Sequence, residues 1–362
     1  MKNLGAKTFL PVTFVFHPEW WHRNYGLSFE REFFYDADTR VEVDLVMRRI
    51  LNERFAGYGL EQEENPEPRP CIGAVHLAAG YIISELFGCQ VEYSKNASPQ
   101  VIPKNISDEE ADNLEPVKLA ENAVFQELRQ MVETLKQRFG YVVGDINWQG
   151  VLNVALDLRG EKIFIDLIQY PERAKRIFSA VTETIKEFVT YIRKETGTTS
   201  IAVNRSIKWI EPKLNVHSNC SVIMISPDTY RQMLLPYDQE LARTFKPYGI
   251  HHCGRNMQLY ADAYAEIPEV CFFDVGWGSD LALCRQKLPQ AFLNLRYDPV
   301  KIRNAEPEEI RADLLSMLQA SADPEKTGIC CINMDHDVPD ENIATVIQTV
   351  AEYRKEILNS GR

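Results

Sequence analysis

A parallel α/β fold, and within that class a barrel in preference to an open doubly wound sheet, is predicted by three observations. Apolar strand-like runs at residues 248–252, 270–275, 291–295 and 328–334 alternate with segments of helical spacing. The chain has 362 residues, a length that a single α/β barrel reaches. No Gly-x-Gly-x-x-Gly follows the first strand-like run, so the fingerprint of a dinucleotide-binding sheet is missing.

The elements follow in order. Residues 8–16 (Thr-Phe-Leu-Pro-Val-Thr-Phe-Val-Phe) are β-rich, and residues 41–55 space apolar side chains as a helix does. Residues 61–70 are acidic and Pro-rich and read as a surface loop; a second exposed loop is expected over 94–113. A helix over 117–139, a short strand over 141–146, a buried segment of open type over 161–167 and a long amphipathic helix over 171–194 come next. Residues 214–224 are strand-like. Ser226 and Pro227 then suit the N-cap and first turn of a helix running to Phe245. The last helix is expected over 341–358. The whole is expected to be one barrel domain over 1–362, with 1–70 as an N-terminal elaboration.

Charge and composition narrow the function. A net charge of -12 disfavours a nucleic-acid partner, because phosphate neutralisation needs clustered Lys and Arg. The 45% hydrophobic content supports a large core. No run approaches the roughly 18 apolar residues of a membrane span, and Pro11, His17 and Glu19 interrupt any secretory signal. A cytoplasmic protein with its eight cysteines reduced is expected.

Chemistry concentrates at a strand end. His251, His252, Cys253 and Gly254 close the 248–252 run. Period-two alternation turns His251 and Cys253 to one face and His252 to the other. Barrel active sites lie at the C-terminal ends of strands. Imidazole and thiolate are zinc donors, and a catalytic zinc needs three protein ligands with one open position. The end of the last strand offers Cys330, Cys331, Asp335, His336 and Asp337 as sources of the third. Asp274, at the end of the 270–275 run, is a candidate to orient a ligating His or contact substrate, or else to cap the next helix. Asn215, His217 and Asn219 alternate before Ser226 as candidates for lining the same mouth, with Asn219 the catalytic candidate among them. His76 and His217 otherwise read as structural, and Trp20 and Trp21 as core.

Several of these landmarks fall in an order that resembles the uroporphyrinogen decarboxylase superfamily. Ser226-Pro227-Asp228-Thr229-Tyr230, Pro236-Tyr237, His251 to Gly254, Asp298-Pro299 and Pro339-Asp340-Glu341-Asn342 are similar to its Ser-Pro-Glu-x-Tyr, Pro-Tyr, His-x-Cys-Gly and closing Pro-x-x-Asn segments. The resemblance implies a (β/α)8 TIM barrel. Its decarboxylases follow an N-terminal Pro-Val with Arg residues that hold carboxylates; reading on from Pro11-Val12, this chain has Phe16 and Trp20 at those places. Its other branch contains zinc methyltransferases that work with corrinoid proteins. That likeness implies zinc held by His251 and Cys253, with His336 in the slot of the third ligand, and Cys331, Cys330 and Asp335 as rivals for it. The implied activity is methyl transfer between a corrinoid protein and a thiol or other small molecule. The alternatives are a metal-free decarboxylase or lyase of the same fold, or a non-catalytic barrel that binds a corrinoid partner.

Overall fold

The computed structural model describes residues 5–6, 9–58, 67–73, 80–146, 148–197, 210–211 and 213–359. Part of the acidic loop (61–66) and His76 lie outside them. Eight parallel strands follow the chain: β1 Val12–Phe16, β2 Cys71–Gly73, β3 Val143–Asp145, β4 Asn215–Ser218, β5 Tyr248–His252, β6 Val270–Val275, β7 Phe292–Arg296 and β8 Thr327–Met334. Six form one sheet in the order β1-β8-β7-β6-β5-β4. β2 and β3 form a separate parallel pair. A single parallel bridge from Gln149 to Ser218 ties the segment after β3 to β4. Stepwise neighbours along the chain, with helices between them, are the arrangement that the strand and helix alternation predicts.

The first strand, inside the 1–70 stretch, pairs with the last one, Cys330 opposite Thr13. The N-terminal stretch therefore supplies an edge of the main sheet. Beyond it, Phe16, Trp20 and Trp21 are buried, with Phe16 and Trp20 ring centroids 4.3 Å apart. Arg54 stacks over Trp20 and donates to Asp340 at 2.8 Å, closing this corner on the last helix.

The two faces of the sheet differ in chemistry. Phe14, Phe16, Ile250, Phe273, Val275, Leu293, Leu295, Ile329 and Cys331 belong to the large apolar core under the helices. The register aligns Ser218, His251, Asp274, Asn294 and Gly328 in one row across β4 to β8. Register partners in a parallel sheet share a face, so this row is a polar layer on the side away from the helices. Below it Phe272 and Phe292 stack at 5.7 Å. Gly328 keeps the layer intact: a Cβ there would lie 2.8 Å from Asn294 Oδ1.

Several boundaries differ from expectation for local reasons. The helix expected over 117–139 begins at Ala123, because Asn122 caps it by accepting from Phe125 N. The segment over 161–167 is helical, Lys162–Gln169. The helix after Ser226 is two helices, Pro227–Met233 and Leu235–Thr244, because Pro236 has no N–H to continue the first. The 214–224 run is a strand only to Ser218 and then a 3-10 turn, Ser221–Met224. The 94–113 loop carries structure of its own: Gln100–Ile102 pairs with Gln90–Glu92, and Ser107 and Glu110 form a capping box on Asp108–Asp112.

The bridge at Gln149 has a buried support. Its Nε2 donates to Ser84 Oγ at 2.8 Å and to Asp157 Oδ2 at 2.7 Å, and its Oε1 accepts from Ser84 N at 3.1 Å. Ser84 Oγ donates to the same Asp157 oxygen at 2.6 Å. Among the described residues no helix is long and apolar enough to cross a membrane.

Candidate metal centre

The centre is built on adjacent strands. β5 carries His251 and is followed by Cys253; β4, hydrogen-bonded to β5, is followed by Cys220. The register sets Ser218 beside His251, so alternation brings Ser218 and Cys220 to the His251 side. One donor atom each from Cys220, His251 and Cys253 lies within 4.8 Å of the other two. Cys220 is the site residue that sequence reasoning missed. Its signal is the two-residue spacing from Ser218, which acquires meaning only once β4 and β5 are paired.

His251 is held from behind. Its Nδ1 donates to Asp274 Oδ2 at 2.8 Å, and Asp274 Oδ1 accepts from Asn294 Nδ2 at 2.8 Å. All three side chains are fully buried. A carboxylate only accepts, so in the neutral ring the proton sits on Nδ1 and the second nitrogen keeps its lone pair. That nitrogen, Nε2, is buried with no hydrogen-bond partner among the described residues. The helix after β6 is capped by Asp280, which accepts from Leu283 N. Asp274 is thus the partner of His251 and not a helix cap.

The thiols are electrostatically unequal. The hydrogen bond from Cys220 pulls Cys253 well below the usual thiol range against the opposing effect of burial, with His251 and Arg296 adding to the pull. The same hydrogen bond, with burial, pushes Cys220 up. Arg296 Nη1 donates to Cys253 Sγ and to its carbonyl oxygen, both at 3.2 Å. Burial opposes a charge on His251, but Asp274 and Cys253 outweigh it and raise its pKa.

Close backbone packing keeps the ring of donors tight. A Cβ on Gly276 would stand 2.0 Å from the Gly254 carbonyl oxygen and 2.8 Å from that of Cys253. At Gly254 a Cβ would lie 2.3 Å from Ile223 Cγ2, so this glycine serves space as well as the turn.

Other candidates are placed elsewhere. His252 faces the helices, where its Nδ1 meets Tyr264 Oη at 2.9 Å, and burial pushes its pKa down to about 4. Asn219, the catalytic candidate just after β4, is turned the same way: its Nδ2 donates to Asp238 Oδ2 at 2.9 Å. His217 Nε2 lies 3.2 Å from Asp238 Oδ1, and Asn215 donates to Phe245 O. The expectation that Asn215, His217 and Asn219 line the mouth gives way to burial on the other face, His217 and Asn219 around Asp238 and Asn215 on the Phe245 and Pro247 carbonyls, because the register puts even-numbered β4 residues on the His251 side. Cys330 lies near Asp274 and Arg296, and burial raises its thiol; Cys331 belongs to the outer core.

His336 groups with Asp335 and Asp337, its Nδ1 3.1 Å from Asp335 Oδ1. Arg303 pairs with both carboxylates. In sheet order β6 and β7 separate β8 from β5, a spacing of roughly 14 Å along the sheet at about 4.8 Å per strand. Cys220 is one strand away. The donor grouped with His251 and Cys253 is thus that of Cys220, and His336 is grouped with Asp335 and Asp337.

The parallel α/β sheet carries converging thiol and imidazole donors at the C-terminal ends of its strands, the end at which barrel-type folds place their chemistry. The chain belongs to the uroporphyrinogen decarboxylase (URO-D) family, whose model matches residues 74–353. Among solved structures it is similar to a methyltransferase from Methanosarcina mazei, with 16% identity and a TM-score of 0.66 over 98% of this chain and 95% of that one. At that identity the likeness speaks for the fold. No curated protein matches the sequence.

Proposed function

We propose that the protein is a cytoplasmic, zinc-dependent methyltransferase, moving a methyl group between a corrinoid carried by a separate protein and a thiol or other small molecule, on a closed (β/α)8 barrel. The observation that carries this reading is the convergence of Cys220, His251 and Cys253 with one buried, unpartnered nitrogen aimed among two sulfurs.

The donor set fits zinc. Tetrahedral zinc bonds of about 2.0–2.3 Å set ligand atoms roughly 3.5 Å apart, inside the 4.8 Å limit that the three donors meet. Cys220, His251 and Cys253 would hold the ion, which would supply the Lewis acidity that keeps a substrate thiol as the nucleophilic thiolate. Asp274 keeps the His251 proton on Nδ1 and the ring in one orientation, and Asn294 fixes Asp274 in turn. Arg296 stabilises the charge on Cys253. Methyl transfer is a displacement at carbon, so a rigid thiol position contributes alignment as well as activation.

The decarboxylase reading is weaker on this chain. The places at which that branch keeps its Arg residues hold Phe16 and Trp20, both buried against one another. A substrate with several carboxylates needs cations there.

The reading is tested by metal analysis of protein purified without added metal, with methyl transfer from methylcobalamin to a panel of thiols assayed alongside. About one equivalent of zinc and chelator-sensitive transfer are expected. Far less zinc, together with activity that a chelator leaves intact, would sink it.

A further inference from the structure

Beside the donor cluster lies a cavity of about 310 Å³, walled by the loop after β6 and by the ends of β7 and the helices that follow. Its charged wall is formed by Arg255, Arg296, Lys301, Asp298 and Asp313. The carboxylates there are already engaged. Asp313 accepts from Lys301 Nζ at 2.6 Å and from Tyr297 Oη at 3.2 Å. Asp298 caps the helix Pro299–Asn304 through Val300 N at 2.8 Å.

The guanidinium groups are not so engaged. Among the described residues neither Arg255 nor Arg296 forms an ion pair with a carboxylate. Arg255 lies over the Trp277 ring at 4.2 Å, and Gly278 leaves room for it, since a Cβ there would stand 2.9 Å from Arg255 Nε. Arg296 is 4% exposed and its Nε has no partner. A buried donor left unpaired is costly. One cation without a carboxylate partner, Arg255, and one whose buried Nε is unpaired, Arg296, stand on one wall of a chain of net charge -12.

We propose that this cavity binds a small organic oxyanion, a carboxylate, sulfonate or phosphate, through Arg255 and Arg296, with the ligand's carbon stem against Trp277, Leu281 and Met317. Planar guanidinium groups match the oxygens of such anions bidentately. Arg296 touches Cys253 Sγ, so the bound anion lies one side chain from the donor cluster. That the anion is the acidic end of the methyl-transfer substrate rests on the function proposed above; the anion site itself does not.

Ligand-observed NMR titration of the full-length protein with butyrate and butyl phosphate, against butan-1-ol, tests the proposal. Saturable binding of at least one anion but not of the alcohol is expected. Arg255→Met should weaken it about tenfold, and Arg255→Lys less, as expected for loss of a charge-assisted hydrogen bond. Arg255 is exposed, so both variants should keep the parent's far-UV circular dichroism and zinc content. Failure of both anions to bind, binding of butan-1-ol as tight as theirs, or unchanged affinity in Arg255→Met would overturn the proposal. Zinc content and turnover are read separately. Anion binding by a protein that holds no zinc would sink the methyl-transfer reading alone, and a zinc-loaded, active protein that binds no anion would sink only the cavity's role.

Discussion

His251 and Asp274 occupy register positions directly beside one another on β5 and β6, and a 2.8 Å hydrogen bond from Nδ1 to Oδ2 joins them in a fully buried layer. Asn294, the next residue in the same row, holds the other carboxylate oxygen. Three strands thus contribute one side chain each to the aim of a single nitrogen.

Asp274→Asn tests that relationship. The substitution keeps the shape but removes the charge and the single-minded acceptor, so His251 loses its enforced tautomer. Zinc affinity, measured by competition with a chromophoric chelator, is expected to fall about 10–100-fold with little change in fold. An unchanged affinity would remove Asp274 from the centre.

The third donor is decided by comparing Cys220→Ser with His336→Ala. Cys220→Ser should drop the zinc content of the purified protein well below that of the parent, as should Cys253→Ser. His336→Ala should leave it intact, because His336 is grouped with Asp335 and Asp337. The reverse pattern would restore His336 as the ligand.

Gly276→Ala should damage the site without touching a donor. The new Cβ meets the backbone oxygens of Gly254 and Cys253, which cannot rotate away as a side chain would, so the segment carrying Cys253 must move. A loss of about 1–3 kcal/mol in unfolding free energy is expected for such overpacking, with weaker metal binding. Denaturant unfolding and the chelator competition report the two effects.

Burial raises the pKa of Asp157 above its ordinary value, against the opposing hydrogen bonds from Ser84 and Gln149. The folded state therefore holds this proton more tightly than the unfolded chain does. The associated stability is fully present below the ordinary aspartate range and is lost as pH rises through the folded value. Asp157→Asn does not titrate, so its unfolding free energy should gain relative to the parent as pH rises from the ordinary aspartate range through the raised folded value. Parallel stability curves for the two proteins over that window would count against the assignment.

Much of this protein was legible in its residues. The strand at Tyr248–His252, its polar end, and the opposite facing of His251 and His252 follow from apolar patterning and period-two alternation, and the structure has all three. Ser226 caps its helix by accepting from Thr229 N, as the Ser-Pro pair predicts. The order of motifs along the chain points to the same URO-D family whose model matches residues 74–353.

What the residues did not disclose depends on pairing between distant segments. Cys220 reaches His251 because Ser218 is the register partner of His251, Asp274 supports it because β6 lies alongside, and Asn219, the residue after β4, turns to Asp238 because it follows Ser218 and faces the other way. His336 counts correctly along the chain but leaves from a strand three places from β5. Alternation and capping are local, set by backbone geometry within a few residues. Register is a long-range hydrogen-bond choice, and a shift of one residue would exchange the faces of every side chain on the strand. The sequence alone therefore determined which residue types stand at the strand ends, and only the tertiary structure decided which of them meet.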